Sequence, residues 1–401
     1  MSNNKPTRLR RFLLWTFLSV VTGIFSGAVG AAFSHGVSLV TTARESAPFL
    51  IYLLPAGGIL SVFLYRLFRV TGATTDDAVE SAHTEKKVSP RLFPAVFICS
   101  VISHRFGASA GREGAALKMG GSIAALFTRA FRLKERDRRT LAVAGMSGVF
   151  SAVFGTPLGA AVFTVEVVRS RTLRPYSLAV SLASSLAAYG TSILLRVHPE
   201  RYHIPEIPAF TPGLLLRTLI LSALSGLVAL VFCYAMHLSL KGARQLFKNE
   251  YLRISVFAAL LVLLTVIVGT YDYNGGGIGI IEGIFEGESA RPEAFALKIL
   301  FTAVTVAAGF KGGEIVPALF TGTTFGAALS PILGLPAPFG ASLGMSALFA
   351  GVTNCPIATI LLSLELFGPQ VLPYSFIAIT LGFLLSGEVC LYDIKKYPFK
   401  K

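Results

Sequence analysis

The sequence predicts an all-α polytopic membrane protein, and three observations carry that prediction: an apolar composition, a series of long apolar runs, and a duplication of about half the chain. Hydrophobic side chains make up 53% of the 401 residues and charged ones only 14%, with a mean hydropathy of +0.67. That is too apolar for a soluble globular chain of this length. Runs at 12–42, 49–70, 92–104, 141–168, 176–195, 214–240, 254–270, 294–310, 341–367 and 371–392 are each of spanning or half-spanning length. A bundle of many helices in a bilayer follows.

Basic residues precede the first run, at Arg8, Arg10 and Arg11. A signal peptide starts in the same way, but this run is too long and lacks a cleavage site, so it reads as the first helix. The tail is also basic, with Lys395, Lys396, Lys400 and Lys401. By the positive-inside tendency both ends are expected on the cytoplasmic side of the plasma (inner) membrane, with an even number of crossings. The net charge of +15 raises nucleic acid as a partner. Its Lys and Arg lie instead in short clusters beside the runs, at Arg129 to Arg139 and Arg169 to Arg174, which fits lipid headgroups better than a nucleic acid. Cys99, Cys233, Cys355 and Cys390 sit in apolar segments without paired spacing, so packing is their expected role.

The duplication is in register. Gly145 to Pro157 and Gly344 to Pro356 share their pattern, with Pro157 and Pro356, and likewise Glu166 and Glu365, 199 residues apart. Upstream of these, Gly111-Arg-Glu-Gly114 and Gly312-Gly-Glu-Ile315 form a second pair, with Glu113 and Glu314 201 apart. The expected halves are 1–205 and 206–401. Each glycine-opened motif precedes an apolar stretch that reads as too brief to cross a full bilayer, the pattern of discontinuous helices meeting near the midplane. A helix that starts inside a membrane presents unpaired N–H groups and a partial positive charge, which suit a buried anion. Glycine lets the backbone come close to it. The alternative, that these glycines serve only tight helix packing, does not explain why the element is paired and carries a glutamate in each half.

Gly111-Arg-Glu-Gly114, Gly313-Glu-Ile-Val-Pro317, the Phe154-Gly-Thr-Pro-Leu-Gly159 turn and Leu391-Tyr392 resemble the CLC family of anion channels and anion/proton antiporters. The resemblance covers nearly the whole chain and keeps the family order. It implies an inverted-repeat CLC fold with tilted and half-spanning helices, dimeric with one pore per subunit, carrying a small inorganic anion and a proton. No cofactor is implied. No extension follows Lys401, so the cytoplasmic nucleotide-binding pair of many eukaryotic relatives is not expected.

Carried over by position, Glu113 matches the gating glutamate, which occupies an anion site when ionised and leaves it when protonated. A carboxylate within a membrane segment is a functional hypothesis by default; the alternative is a structural ion pair with the adjacent Arg112. Gly111, Arg112, Gly114, Glu314, Ile315 and Val316 match the anion-binding motifs, with Glu314 and Ile315 offering backbone N–H groups. Tyr392 matches the tyrosine whose hydroxyl points at the central anion, although a tyrosine near an interface also serves as an anchor.

The sequence departs from the chloride-handling pattern in two places. The Gly-Ser-Gly-Ile-Pro element is replaced by Gly72-Ala-Thr-Thr-Asp-Asp-Ala-Val79, which leaves Thr74 at the serine; Asp76 and Asp77 read equally well as caps of a following helix. The inner proton-transfer glutamate falls on Val167, beside Glu166, and valine cannot carry a proton. Glu113 to Gly120 and Gly309 to Glu314 resemble the fluoride-exporting branch, while Val316 stands where that branch usually has threonine. A hydroxyl lost beside the ion would cost about 1 kcal/mol or more of selectivity. Fluoride/proton antiport is therefore slightly favoured over chloride/proton antiport and over an uncoupled channel. A remote enzymatic reading comes from Gly107-Ala-Ser-Ala-Gly111 with His237, the pattern of an intramembrane serine hydrolase with Ser109 as nucleophile. The histidines have no metal-ligand spacing.

Overall fold

The chain opens on a single helix far longer than a bilayer core, α1 (Arg8–Glu45), whose 38 residues extend about 57 Å and therefore must tilt or project. The computed structural model describes residues 8–84, 86–168 and 176–392. After α1 come α2 (Leu54–Leu67), entered through a 3-10 turn at Pro48–Leu53, α3 (Thr75–Ser81), α4 (Leu92–Arg105), α5 (Glu113–Ala130), α6 (Glu135–Phe154), α7 (Pro157–Val168) and α8 (Ser177–Leu194). The series then recurs: α9 (Pro212–Leu246), α10 (Glu250–Val268), α11 (Ile278–Phe285), α12 (Ala294–Ala308), α13 (Ile315–Leu333), α14 (Ala337–Thr353), α15 (Pro356–Phe367) and α16 (Leu372–Ser386). Packing recurs with it. Helix α1 lies on α6 and α8 as α9 lies on α14 and α16, and α5 on α6 as α13 on α14.

The same local chemistry breaks the chain at matching points. The runs 141–168 and 341–367, each continuous in hydropathy, are both split. Gly155 (φ 75°) ends α6 and Asn354 (φ 57°) ends α14, both in the left-handed conformation that glycine and asparagine favour after a helix. Pro157 and Pro356 then open α7 and α15, where a missing N–H costs nothing. Close approach is also repeated: a side chain on Gly120 would meet the backbone of Gly145, and one on Gly322 the backbone of Gly344. Small residues of this kind hold membrane helices together.

Helices of the first series meet their own counterparts in the second: α2 with α10, α5 with α13, and α7 with α15. In the last pair each helix supplies the other's cap. Glu166, near the end of α7, accepts from the N–H groups of Ile357 at 3.2 Å and Ala358 at 2.7 Å. Glu365, near the end of α15, accepts from Leu158 at 2.9 Å and Gly159 at 2.8 Å. End meets beginning both ways, so the two helices run antiparallel about a local two-fold axis, as an inverted repeat demands.

Two sequence expectations are corrected here. The stretches after the glycine motifs are not brief: α5 has 18 residues and α13 has 19, and α13 is among six helices in the described residues long and apolar enough to cross a membrane. Embedded Gly120, Gly121 and Ser122, and Thr321, Gly322, Thr323 and Thr324, dilute the hydropathy while remaining buried. The cluster from Arg129 to Arg139 is not wholly a headgroup contact, because Arg138 is buried and donates to the carbonyls of Ser81 and Thr84, both at 2.9 Å. The cluster Arg169 to Arg174 and the two termini, with the orientation read from them, lie outside the described residues. The four cysteines are buried and form no disulfide with one another.

Replacing Glu365 by Ala takes the acceptor from the first two N–H groups of α7. The expected loss is about 1–3 kcal/mol, read as a lower unfolding temperature in detergent. Glu166→Ala should do the same at α15.

Candidate functional site

The starts of α5 and α13 are tied together by backbone. Gly111 N–H donates to the Gly313 carbonyl at 2.7 Å and Gly313 N–H to the Gly111 carbonyl at 2.9 Å, an isolated antiparallel bridge between the two glycine motifs. Only glycine permits it: a methyl on Gly114 would lie 2.7 Å from the Gly313 Cα, and one on Gly313 would collide with Gly114 N. Neither helix has a side-chain cap at its Ncap residue, Arg112 or Glu314. The first intrahelical bonds run from Ala116 to Arg112 and from Ala318 to Glu314, both at 3.0 Å. The N–H groups of Glu113, Gly114 and Ala115, and of Ile315 and Val316, therefore point out of the helix starts; Pro317 has none to offer. Two partial positive ends converge at one place.

Glu113 sits there fully buried. Its Oε2 accepts from the Arg112 backbone N–H at 3.0 Å, and its Oε1 has no partner among the described residues. The carboxylate thus turns back onto the donors of its own helix start, the position a free anion would take. The expected alternative, an ion pair with Arg112, is not formed: the Arg112 Nη2 lies 2.8 Å from Glu200 Oε1.

A cavity lies on each side of this partition. The first, about 560 Å³, is lined by Gly111, Arg112, Val316, Glu200, Arg44 and His104 among others. The second, about 430 Å³, is lined by Thr74, Asp76, Asp77, Lys118, Glu314 and Tyr392 among others. Glu113, Gly114 and Ile315 are buried between them. The residues singled out in the sequence are therefore brought to one path, three on each cavity and three in the wall.

At Thr74 the hydroxyl accepts from Asp77 N–H at 3.3 Å while the Asp77 carboxylate accepts from Thr74 N–H at 2.6 Å, a capping box for α3. Asp77 also pairs with Lys86, so the capping reading holds for it, and Asp76 faces the second cavity. Tyr392 is held by its neighbour, Leu391, whose N–H donates to Val352 at 2.7 Å. Val167 is fully buried and Glu166 is committed to capping α15. Ser109 is fully buried, and its hydroxyl hydrogen-bonds Thr302 at 3.1 Å; His237 lines the second cavity, so the hydrolase pair is not assembled. No cluster of three metal-ligating side chains occurs among the described residues.

Sequence reasoning missed Glu200, Lys118 and Lys298. Glu200 has no local motif and reaches Arg112 across 88 positions. Lys118 is buried and donates to Gly312 at 3.3 Å; as a lone charge in an apolar helix it carried a signal. Lys298 is fully buried, donates to the carbonyls of Tyr273 at 3.2 Å and Gly275 at 2.7 Å, and lies 4.9 Å from the Phe320 ring centroid. It anchors the glycine-rich turn before α11, which walls the first cavity beside Val316.

Helix starts converging on a buried carboxylate between two cavities, within an inverted repeat, are the features of an anion-transporting membrane protein. Residues 57–387 match the voltage gated chloride channel family, and the chain belongs to that family. It is 33% identical to a chloride/fluoride channel protein of Pseudomonas syringae pv. tomato over 96% of this chain and 87% of that one. It is 27% identical to an H(+)/Cl(-) exchange transporter, ClcA, of Vibrio vulnificus over 93% and 86%. Its fold superposes on the crystal structure of a CLC-type fluoride/proton antiporter with a TM-score of 0.91 at 29% identity, covering 97% of this chain and 99% of that one.

A methyl on Gly111 would lie 2.7 Å from Val316 Cβ and 3.0 Å from Glu113 Oε2. Gly111→Ala is expected to overpack the partition by about 1–3 kcal/mol and to slow halide flux in liposomes by about tenfold or more. Elution as a folded species in detergent should be unchanged.

Proposed function

We propose that the protein exchanges a halide for a proton across the plasma (inner) membrane, with Glu113 as both gate and proton carrier. The observation that carries this reading is the Glu113 carboxylate, fully buried and turned onto the helix-start N–H groups between two cavities. An ionised carboxylate and a halide compete for those donors, whereas the protonated acid does not compete. Protonation from one cavity frees the donors for an anion, and return of the carboxylate expels it. One group thereby links the two fluxes.

Gly111, Arg112, Gly114, Ile315 and Val316 form the anion path near Glu113, with Glu314, Thr74 and Tyr392 on the second cavity. Fluoride is favoured over chloride as the cargo. The similarity to a fluoride/proton antiporter at 29% identity and to a chloride/fluoride channel protein at 33% supports this, as does the engagement of Thr74 in a helix cap. The second reading, chloride/proton exchange, is supported by the resemblance to the H(+)/Cl(-) exchange transporter. The subunit is taken as half of a homodimer with one pore each. The halves divide at 205/206, inside the non-helical segment between α8 and α9, and both termini are placed in the cytoplasm.

Purified protein in liposomes, followed with fluoride, chloride and pH electrodes, should move protons uphill when a fluoride gradient is imposed, and more weakly with chloride. Halide flux without proton movement would remove the exchange reading. Glu113→Gln should abolish proton coupling, since an amide neither binds nor releases a proton; retained coupling would remove Glu113 from the gate.

A further inference from the structure

Arg112 adjoins Glu113 in the chain, so its guanidinium is the cation closest at hand for that carboxylate. The fold sends it away. Arg112 Nη2 and Glu200 Oε1 are 2.8 Å apart, with side chains only 13% and 15% exposed, and both residues line the first cavity. Glu200 belongs to the segment between α8 and α9, and that segment is pinned on three sides. Arg201 Nη1 donates to the Glu365 carbonyl at 2.7 Å and Tyr202 N–H to the Leu366 carbonyl at 2.9 Å. The Tyr202 ring stacks on Phe285 of α11 at 4.6 Å and 20°, and its hydroxyl donates to Glu200 Oε2 at 3.4 Å. Gly155 leaves space for Pro199, which a methyl there would meet at 2.5 Å.

We propose that Glu200 is a positioning residue for the gate: it keeps the Arg112 guanidinium from pairing directly with Glu113, so that the Glu113 carboxylate is hydrogen-bonded by backbone N–H and not by a cation, and can yield its place. The inference rests on the reading of Glu113 as the gate. Its physics is that of an opposite charge nearby. A guanidinium within about 4–6 Å favours the ionised carboxylate by one to three pH units, and a buried ion pair is broken only at large cost. An Arg112 released from Glu200 would clamp Glu113 in its closed, ionised form. The charged groups facing Glu113 are Arg112 and Glu200, while α13 brings Val316 to this side. Glu200 is faced by Arg112, Tyr202 and Glu282 of α11, and Arg44, Glu45, His104 and Asp272 also line the cavity.

The test is the pH profile of proton-coupled halide flux in liposomes, for the full chain and for Glu200→Gln. The variant's midpoint is expected to move to lower pH by about one unit, a tenfold rise in the proton concentration required. Adding Arg112→Gln to Glu200→Gln should return the midpoint toward that of the unaltered protein, because the released cation is then gone. A profile for Glu200→Gln that superimposes on the unaltered protein overturns the proposal, and so does a shift that persists when Arg112 is also replaced. If Glu200→Gln is not recovered folded, Glu200→Asp, which keeps the charge one methylene short, is read instead. A smaller acid shift is expected there, and no shift overturns the idea. Glu113→Gln separates the two readings: if it uncouples protons while the Glu200 variants leave the profile unmoved, only the present inference fails.

Discussion

The backbone bridge between Gly111 and Gly313 is the contact on which the site depends. Two hydrogen bonds of 2.7 and 2.9 Å hold the beginnings of α5 and α13 together, and the space between them excludes any side chain. Two uncapped helix starts side by side would repel each other and leave N–H groups unpaired in an apolar medium. The Glu113 carboxylate brings a negative charge to this place and accepts from the Arg112 N–H at the start of α5. The same arrangement makes that carboxylate exchangeable, because what it satisfies is what a small anion satisfies.

Around this centre the fold manages charge rather than avoiding it. Four cationic side chains near the site have a defined destination: Arg138 on the carbonyls beyond α3, Lys298 on the turn before α11, Lys118 on Gly312, and Arg112 on Glu200. Three of the four cations donate to carbonyl oxygens; of these, Lys118 shares the second cavity with Asp76, Asp77 and Glu314. Arg112 is the exception, and it is the one beside Glu113.

Much of this was legible in the sequence because it was written twice. The 199-residue register of the prolines and glutamates gave the repeat, and the glycine motifs located the helix starts. What stayed hidden has physical causes. The lengths of α5 and α13 were obscured because glycine, serine and threonine are buried in membrane helices by close packing and hydrogen bonds to the preceding turn, so low hydropathy there does not mean exposure. The breaks at 155–156 and 354–355 interrupt runs of constant hydropathy and appear only through left-handed residues and proline. The tie between Arg112 and Glu200 is a contact of tertiary structure, with no spacing rule to announce it. Glu166 and Glu365 were seen as landmarks of the duplication, and their capping role emerged only when the two helices were found side by side.

That exchange of caps has a consequence for how the molecule is made. Translation delivers α7 well before α15, and until α15 arrives Glu166 has no helix start to receive and the start of α7 has no carboxylate. The first half of the chain by itself lacks the carboxylate that receives the N–H groups of Leu158 and Gly159 at the start of α7. Those two N–H groups gain Glu365 only when the second half is synthesised. The mutual capping of α7 and α15 is thus completed late, when the second half closes on the first.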